Sequence, residues 1–562
     1  MKELIAKILK KEISMDEKEI LGMIEIPPSS ELGDYSFPCF GLSKIYKKNP
    51  NQICRELNQK LKKKILPKEI EKTETAGAYL NFFVNKKIFC SEIVKEVLSK
   101  KDSFGKKKCN LKGIMEFSQA NTHKAFHVGH IRGTSLGESL ARTAEFFGEK
   151  VIRVNYQGDT GMHVAKWIWC CQKYHSGEKL RNDESWIASI YVDAVKRLNQ
   201  NPKLQDEVND INRKLEERKD KKLLELWKKT RKLSLDSMEK IYKELNTKFN
   251  KYYFESEFEK KGKKIAEELL KKGIAEKSEG AVIMNLEKYA LGIWVLLRKD
   301  GTVLYSSKDL ALAIEKFKNF SPDWSVYVHG SEQNLHFRQL IKTLELMKFK
   351  DVKKIHPISF DLVRLPTGKM SSRTGDNILY SDFMKEIKDY AKKRIKDRAE
   401  KISINELEHR SEKISIAAIK YSMLKQDPKK VIIFDKKEAL SFEGDTGPYL
   451  LYSYARASSI IKKSKITASS AFKISDIEKK EAELCKKISL FPEIVLSSYK
   501  NFNPSIIANY SYQLAKIFSE FYHECPVINS ENEKFRISLV ESFRVILKNS
   551  LNLLGINVIE EM

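Results

Sequence analysis

Two short stretches of the 562-residue chain concentrate groups able to handle a nucleotide's phosphates. The first is Asn121-Thr122-His123-Lys124-Ala125-Phe126-His127-Val128-Gly129-His130, between a strand pattern and a helical one. A helix start presents unpaired backbone N–H groups and a partial positive charge, which together favour an anion. His127 and His130 add two imidazoles there, and Gly129 has no Cβ, so a flat base can pack on its backbone. Paired histidines also serve as structural groups or zinc ligands, but no Glu or Cys stands nearby at a zinc-binding spacing, so no metal ligand set and no structural zinc are expected. The second stretch is Leu365-Pro366-Thr367-Gly368-Lys369-Met370-Ser371-Ser372-Arg373-Thr374-Gly375. Its glycines suit a mobile loop, and Lys369 and Arg373 offer cations for a developing pyrophosphate. It is not a P-loop, because Val363 and Met370 stand where that motif needs Gly and Ser or Thr.

The elements around these stretches read as α/β. Residues 113–117 form a strand pattern, about 132–147 a helix with Leu136, Leu140, Ala144 and Phe147 on one face, and 150–155 another strand. Strand, loop, helix and strand in so short a span make a βαβ unit and imply a parallel sheet. Residues 162–250 are dense in Lys, Glu and Leu at helical periods and read as a helical insertion. The sheet is then expected to resume, with a hairpin at 296–305 turning on Asp300-Gly301, a helix at 309–317, a strand at 326–328 and a helix at 334–347. Amphipathic segments at 382–397, 415–425, 448–463, 505–523 and 534–554 continue to the end. Ahead of the sheet, Ile53, Leu57 and Leu61 recur at helical spacing, and 79–84 reads as a strand. Composition places boundaries near 105 and 400, giving a small α+β region 1–105, a parallel-sheet region 106–400 and an all-helical region 401–562.

Bulk properties bound the partners. With 41% hydrophobic and 32% charged residues the chain is globular, and 103 Lys+Arg against 76 Asp+Glu leave a charge of +27, which favours a polyanion without specifying one. No apolar run reaches about 18 residues and no long apolar segment follows Met1, so a cytoplasmic chain without a membrane partner is expected. The eight scattered cysteines lack a Cys-x-x-Cys pair and are expected to be reduced thiols, mostly buried.

Taken together, the two stretches resemble the His-x-Gly-His and Lys-Met-Ser-Lys-Ser signatures of class I aminoacyl-tRNA synthetases. Residues 33–39, 78–82, 116–121, 158–161, 300–309, 445–449, 521–527 and 554–556 narrow the resemblance to the arginyl-tRNA synthetase family. It runs nearly end to end and keeps the family order. The chain departs from the pattern at Ser372, where the class carries its second lysine, at Thr374, where many members carry a lysine, and at Ala120, where proline is usual.

The resemblance implies a Rossmann-like catalytic domain with a helical insertion, an N-terminal added domain on the tRNA elbow and an all-α anticodon-binding bundle. It implies that arginine attacks the α-phosphate of ATP, with Mg²⁺ bridging phosphates, and that the adenylate passes to the terminal adenosine of tRNA(Arg). Residue by residue, His127, His130, Lys369 and Arg373 carry catalysis, while Ser118, Asn121, His127, Gly129, His130, Lys369 and Met370 fall on the ATP positions. Glu116, Asn121, Tyr305, Asp309 and Gln333 fall on the arginine pocket, and Tyr79 and Asn81 on the elbow-binding face. A monomer is expected. A non-catalytic tRNA-binding relative would lack the loop chemistry, and a small-molecule nucleotidyltransferase would have no use for the flanking regions. In isolation Asp309 reads as a helix cap, Glu116 as a surface acid and Tyr305 as a strand residue in the core.

Overall fold

The computed structural model describes residues 1–366, 368–369, 379–397 and 402–562, apart from the side chains of Ser30 and Lys369. They divide into two compact units. One comprises Met1–Lys101, Ile460–Ser489 and Ile517–Phe543, and the other Asp102–Ser459, Leu490–Lys516 and Arg544–Met562. Compactness therefore shares the helices of 401–562 between both units, whereas composition groups them in one region.

In the first unit β1 (Tyr35–Pro38), β2 (Ile70–Ala76) and β3 (Tyr79–Val84) form an antiparallel sheet in the order β1-β3-β2. Alternation buries Phe37, Leu80 and Phe82. The helix Pro50–Lys62 starts with proline at its first position and with the Asn49 side chain accepting the Asn51 N–H, and it buries Ile53, Leu57 and Leu61 as its period requires. A buried Arg536–Glu481 pair at 2.6 Å and stacked Phe518 and Phe543 rings at 3.8 Å tie the later segments of this unit.

The second unit is built on five parallel strands, β4 (Lys112–Glu116), β5 (Lys150–Gln157), β6 (Lys251–Phe254), β10 (Trp324–Gly330) and β11 (Ile355–Phe360), in the order β11-β10-β4-β5-β6. The winding direction reverses between β4 and β10, and such a switch opens a crevice at the carboxyl ends of the strands. Ile114, Met115, Val154, Val326 and Val328 are buried, as expected of a sheet covered on both faces. The β4-to-β5 crossover is the helix Val128–Phe146, which begins four residues before the helix expected at 132. His127 becomes its N-cap, and Gly129 and His130 lie in its first turn.

The insertion between β5 and β6 is helical as its periodicity indicates: Met162–Tyr174, Glu184–Gln200, Gln205–Glu217 and Lys221–Glu244 close over Trp167, Trp186, Ile190 and Trp227. The parallel sheet resumes after it with β6, and a separate sheet comes before β10. Strands β7 (Glu276–Ser278), β8 (Ala281–Asn285) and β9 (Ile293–Leu297) form their own antiparallel sheet, because their connections are too short for a parallel crossover. The Asp300-Gly301 turn is present, with Gly301 at φ 78° and Asp300 Oδ1 accepting the Thr302 N–H at 2.9 Å. Its return arm is a single bridge between Leu297 and Val303, since the helix Tyr305–Phe320 begins at once. Tyr305 is thus a helical residue, 56% exposed, and neither in a strand nor in the core. The helices Lys479–Ser489 and Phe491–Asn501 were not among the segments read from periodicity, and both are present.

Candidate functional site

Residues 117–130 leave the end of β4 by a tightly held loop. Ser118, Gln119 and His123 adopt left-handed φ values of 77°, 53° and 60°, conformations that surrounding contacts must enforce. The Ser118 hydroxyl accepts from Thr134 Oγ1 at 2.9 Å and lies 3.0 Å from the Tyr242 hydroxyl. The Gln119 N–H donates to Asn155 Oδ1 at 3.1 Å, and the Thr122 N–H and hydroxyl both donate to the Gly158 carbonyl. His123 is enclosed, with ring nitrogens 3.0 and 2.9 Å from the hydroxyls of Thr122 and Thr230, and burial pushes its pKa down to about 3. It is a neutral structural group.

His127 and His130 face each other with ring centroids 3.8 Å apart. The His127 backbone N–H donates to His130 Nδ1 at 3.1 Å, so a neutral His130 carries its proton on Nε2. Burial first, and then the charge of Lys124, pulls His127 down to about 4. Burial, His127 and Lys124 hold His130 well below its ordinary value. Both are neutral imidazoles at neutral pH. The His127 ring lies 3.0 Å from where a Gly129 Cβ would stand, so the side-chain-free surface of Gly129 is what lets the ring approach.

Beyond the second stretch, Leu379 bridges His127 in antiparallel fashion, and the Tyr380 N–H donates to the Phe126 carbonyl at 2.9 Å. Upstream, Arg132 is buried and donates to the carbonyls of Asp361, Leu362, Pro428 and Lys430 at 2.6–3.0 Å, tying the helix to the residues before β12 (Val363–Leu365). β12 pairs with the backbone of β13 (Gly368–Lys369). Met370 and Arg373 lie outside the described residues, as does the Lys369 side chain.

The residues expected to form an arginine pocket stand on separate elements. Glu116 ends β4 and is 2% exposed; it is paired with the fully enclosed Lys316 at 2.5 Å and accepts from Gln119 Nε2 at 3.0 Å. It is therefore no surface acid. Asp309 is not a helix cap but a second-turn residue, 2.6 Å from His336 Nε2. Trp294 Nε1 donates to His336 Nδ1, which leaves Nε2 as the protonated nitrogen donating to Asp309 Oδ2. Among the described residues no hydrogen bond to Oδ1 is present. The Tyr305 ring stands beside His336 at 4.9 Å. Asn121 Oδ1 is only 2.2 Å from where a Gly158 Cβ would be, so Gly158 is required for Asn121 to sit there. Gln333 is exposed on the 3-10 turn Ser331–Gln333.

Three further groups stand beside these residues. His336 and Lys316 are partners of the two carboxylates; only Lys316 has a signal in the sequence, seven residues after Asp309 and so on the same helical face. Tyr156 has a buried hydroxyl without a hydrogen-bond partner among the described residues, and burial together with Asp309, Glu255, Glu116 and Asp159 raises its pKa well above the usual value.

In the first unit Tyr79 is exposed at the start of β3, edge-on to Phe40 at 5.4 Å. Asn81 shares its face of the strand but is only 4% exposed, and its Oδ1 accepts from the Ser36 hydroxyl at 2.6 Å. The eight cysteines are free thiols, all buried except Cys109, which is half-buried. Cys170, His175 and Asp193 come together in the insertion, but Arg197 already donates to the shared Asp193 oxygen at 2.7 Å. Among the described residues no helix is long and apolar enough to cross a membrane.

The chain is similar over its whole length to known proteins of one class. A family model described as "tRNA synthetases class I (R), catalytic domain" matches residues 93–435. Models described as "Arginyl tRNA synthetase N terminal domain" and "DALR anticodon binding domain" match residues 1–84 and 450–562. The chain is 36% identical over 567 residues to the arginine–tRNA ligase of Clostridium acetobutylicum, covering 100% of both, and 36% identical over 571 residues to that of Clostridium perfringens. The solved arginyl-tRNA synthetase of Thermus thermophilus superposes with a TM-score of 0.81 at 25% identity, over 100% of this chain and 99% of that one. The chain belongs to the arginyl-tRNA synthetase family.

Proposed function

We propose that this chain is an arginine–tRNA ligase that activates L-arginine with ATP, enters arginyl adenylate as the intermediate, and transfers arginine to the 3′-terminal adenosine of tRNA(Arg), releasing AMP and diphosphate. The observation that carries the reading is the full-length match to the arginyl-tRNA synthetase family; a helix start bearing His127 and His130 and a carboxylate, Asp309, held by His336 support it. No protein nucleophile is needed. The arginine carboxylate attacks the α-phosphate directly, and the chain's work is positioning and stabilisation of developing charge. The His130 Nε2–H donates to the triphosphate, His127 lines it, and adenine rests beside Gly129, with Ser118, Asn121 and Met370 as the further ATP positions that the family resemblance implies. Lys369, seconded by Arg373, meets the leaving pyrophosphate. Mg²⁺ arrives with ATP as part of the substrate, held by phosphate oxygens.

Asp309 receives the guanidinium through Oδ1, Tyr305 stacks on its plane, and Glu116, Asn121 and Gln333 complete the pocket. Tyr79 and the Asn81 strand face the tRNA elbow, and the net charge of +27 draws the polyanion in. The enzyme works in the cytoplasm as a monomer. ATP–pyrophosphate exchange tests the reading: exchange that requires arginine supports it, and exchange driven by ATP without an amino acid, or absent with arginine and tRNA(Arg) present, refutes it.

A further inference from the structure

The buried pair at the end of β4 has a consequence for arginine recognition. Lys316 projects from the helix Tyr305–Phe320, two turns beyond Asp309, and its ammonium lies 2.5 Å from Glu116 Oε2 and 3.5 Å from the centroid of the Tyr327 ring. Tyr327 is the register partner of Glu116 on β10. The other Glu116 oxygen holds Gln119, whose left-handed backbone carries the loop onward to Asn121. Both charged groups are enclosed, 0% and 2% exposed, and a carboxylate so enclosed stays ionised only with a partner. The partner is a cation of this chain, before any substrate cation arrives.

We infer that Lys316 is a positioning residue of the arginine pocket, fixing Glu116 as an ionised support for the 118–121 loop and leaving Asp309 as the carboxylate that meets the substrate guanidinium. This rests on the reading of Glu116 as a pocket residue. A pocket with two unpaired carboxylates would have to neutralise one by protonation. Lys316 prevents this without presenting its own charge to solvent. The other titratable groups that feel Glu116 are the hydroxyls of Tyr327 on β10, Tyr156 on β5 and Tyr253 on β6, and Asp309 acts on Lys316 and Tyr327 from its own helix.

Three variants of the full-length chain test the inference: Glu116→Gln, Lys316→Met and the double variant, each measured for thermal stability and for the KM of arginine and of ATP across pH 6 to 9. Lys316→Met strands a buried carboxyl group whose pKa then rises, so its arginine KM increases about tenfold or more at pH 7 while the ATP KM stays within about threefold. That deficit shrinks as pH rises and the carboxyl ionises, a pH limb that a packing role would not produce. The double variant has no carboxyl to titrate. It is expected to be nearly as stable as the parent, since a buried pair exchanged for neutral groups leaves no stranded charge, and to keep a raised arginine KM without the limb. A folded double variant with the parent arginine KM overturns the inference, even if Lys316→Met alone fails to fold. So does a folded Lys316→Met chain with an unchanged or lowered arginine KM. An unchanged arginine KM in Glu116→Gln instead removes Glu116 from the pocket, and with it the reading on which the inference stands.

Discussion

The histidine loop and the carboxylate pocket share one edge of the parallel sheet, yet they handle charge in opposite ways. Around His127 and His130 burial and the charge of Lys124 keep both imidazoles neutral, so the histidines themselves carry no charge. In the pocket every carboxylate already has a partner: Glu116 has Lys316 and Asp309 has His336. On the proposed reading the difference follows from the ligands. A polyphosphate takes neutral donors and a helix start beside the cations of the second stretch. A single guanidinium must be told from other cations, which calls for a carboxylate fixed in place and with one oxygen left to give.

The largest effect that separates the two regions is expected at the loop. His127→Ala or His130→Ala should lower ATP–pyrophosphate exchange by about 10²-fold or more while tRNA binding persists, because these donors matter most as charge develops. Near-normal exchange in both variants would remove the loop from the chemistry. In the pocket, Asp309→Asn should raise the arginine KM by about tenfold or more and leave the ATP KM within about threefold. A parallel rise in both KM values would show that the two regions are not separable.

The neutral histidines also leave a mark on stability. An unfolded chain binds protons at histidine below the ordinary value of 6.5, whereas the folded chain keeps His127 at about 4 and His123 at about 3. The folded state therefore binds fewer protons between these values, and stability is full above pH 6.5 and declines as pH falls toward 4. Thermal melts over that range should show the decline, and His123→Gln should flatten part of it. A flat profile would mean that the imidazoles are charged and paired.

The smallest effects are expected in the first unit. Tyr79→Ala should lower tRNA affinity without changing its salt dependence, because a ring neutralises no phosphate. Asn81→Ala should act chiefly on stability, because Asn81 is buried and bonded to Ser36. Filter binding at several salt concentrations, alongside melts, distinguishes the two.

The same contrast explains what the sequence discloses. The loop is contiguous, so residues 121–130 and the strands on either side show both the motif and the βαβ unit that positions it. Only the helix start was displaced, because Val128–Gly129–His130 has no ordinary capping residue before it. The proposed pocket instead draws on two distant pairs, and neither a period nor a spacing links Glu116 to Lys316 or Asp309 to His336 across 200 and 27 residues. The antiparallel sheet β7–β9 was missed for a related reason, since short strands reveal their pairing only through their connections. At Asn81, alternation gave the face but not its burial, which depends on Ser36 of a strand far away in sequence.

The central claim is that this sheet edge joins arginine to the α-phosphate of ATP. Its most direct test is ATP–pyrophosphate exchange by the full-length chain with tRNA(Arg), comparing arginine with lysine and with the uncharged isostere citrulline. The account predicts exchange with arginine, little with lysine or citrulline, and loss of the arginine signal in Asp309→Asn at sub-saturating arginine. Equal exchange with citrulline, or an undiminished arginine signal in Asp309→Asn, would contradict it.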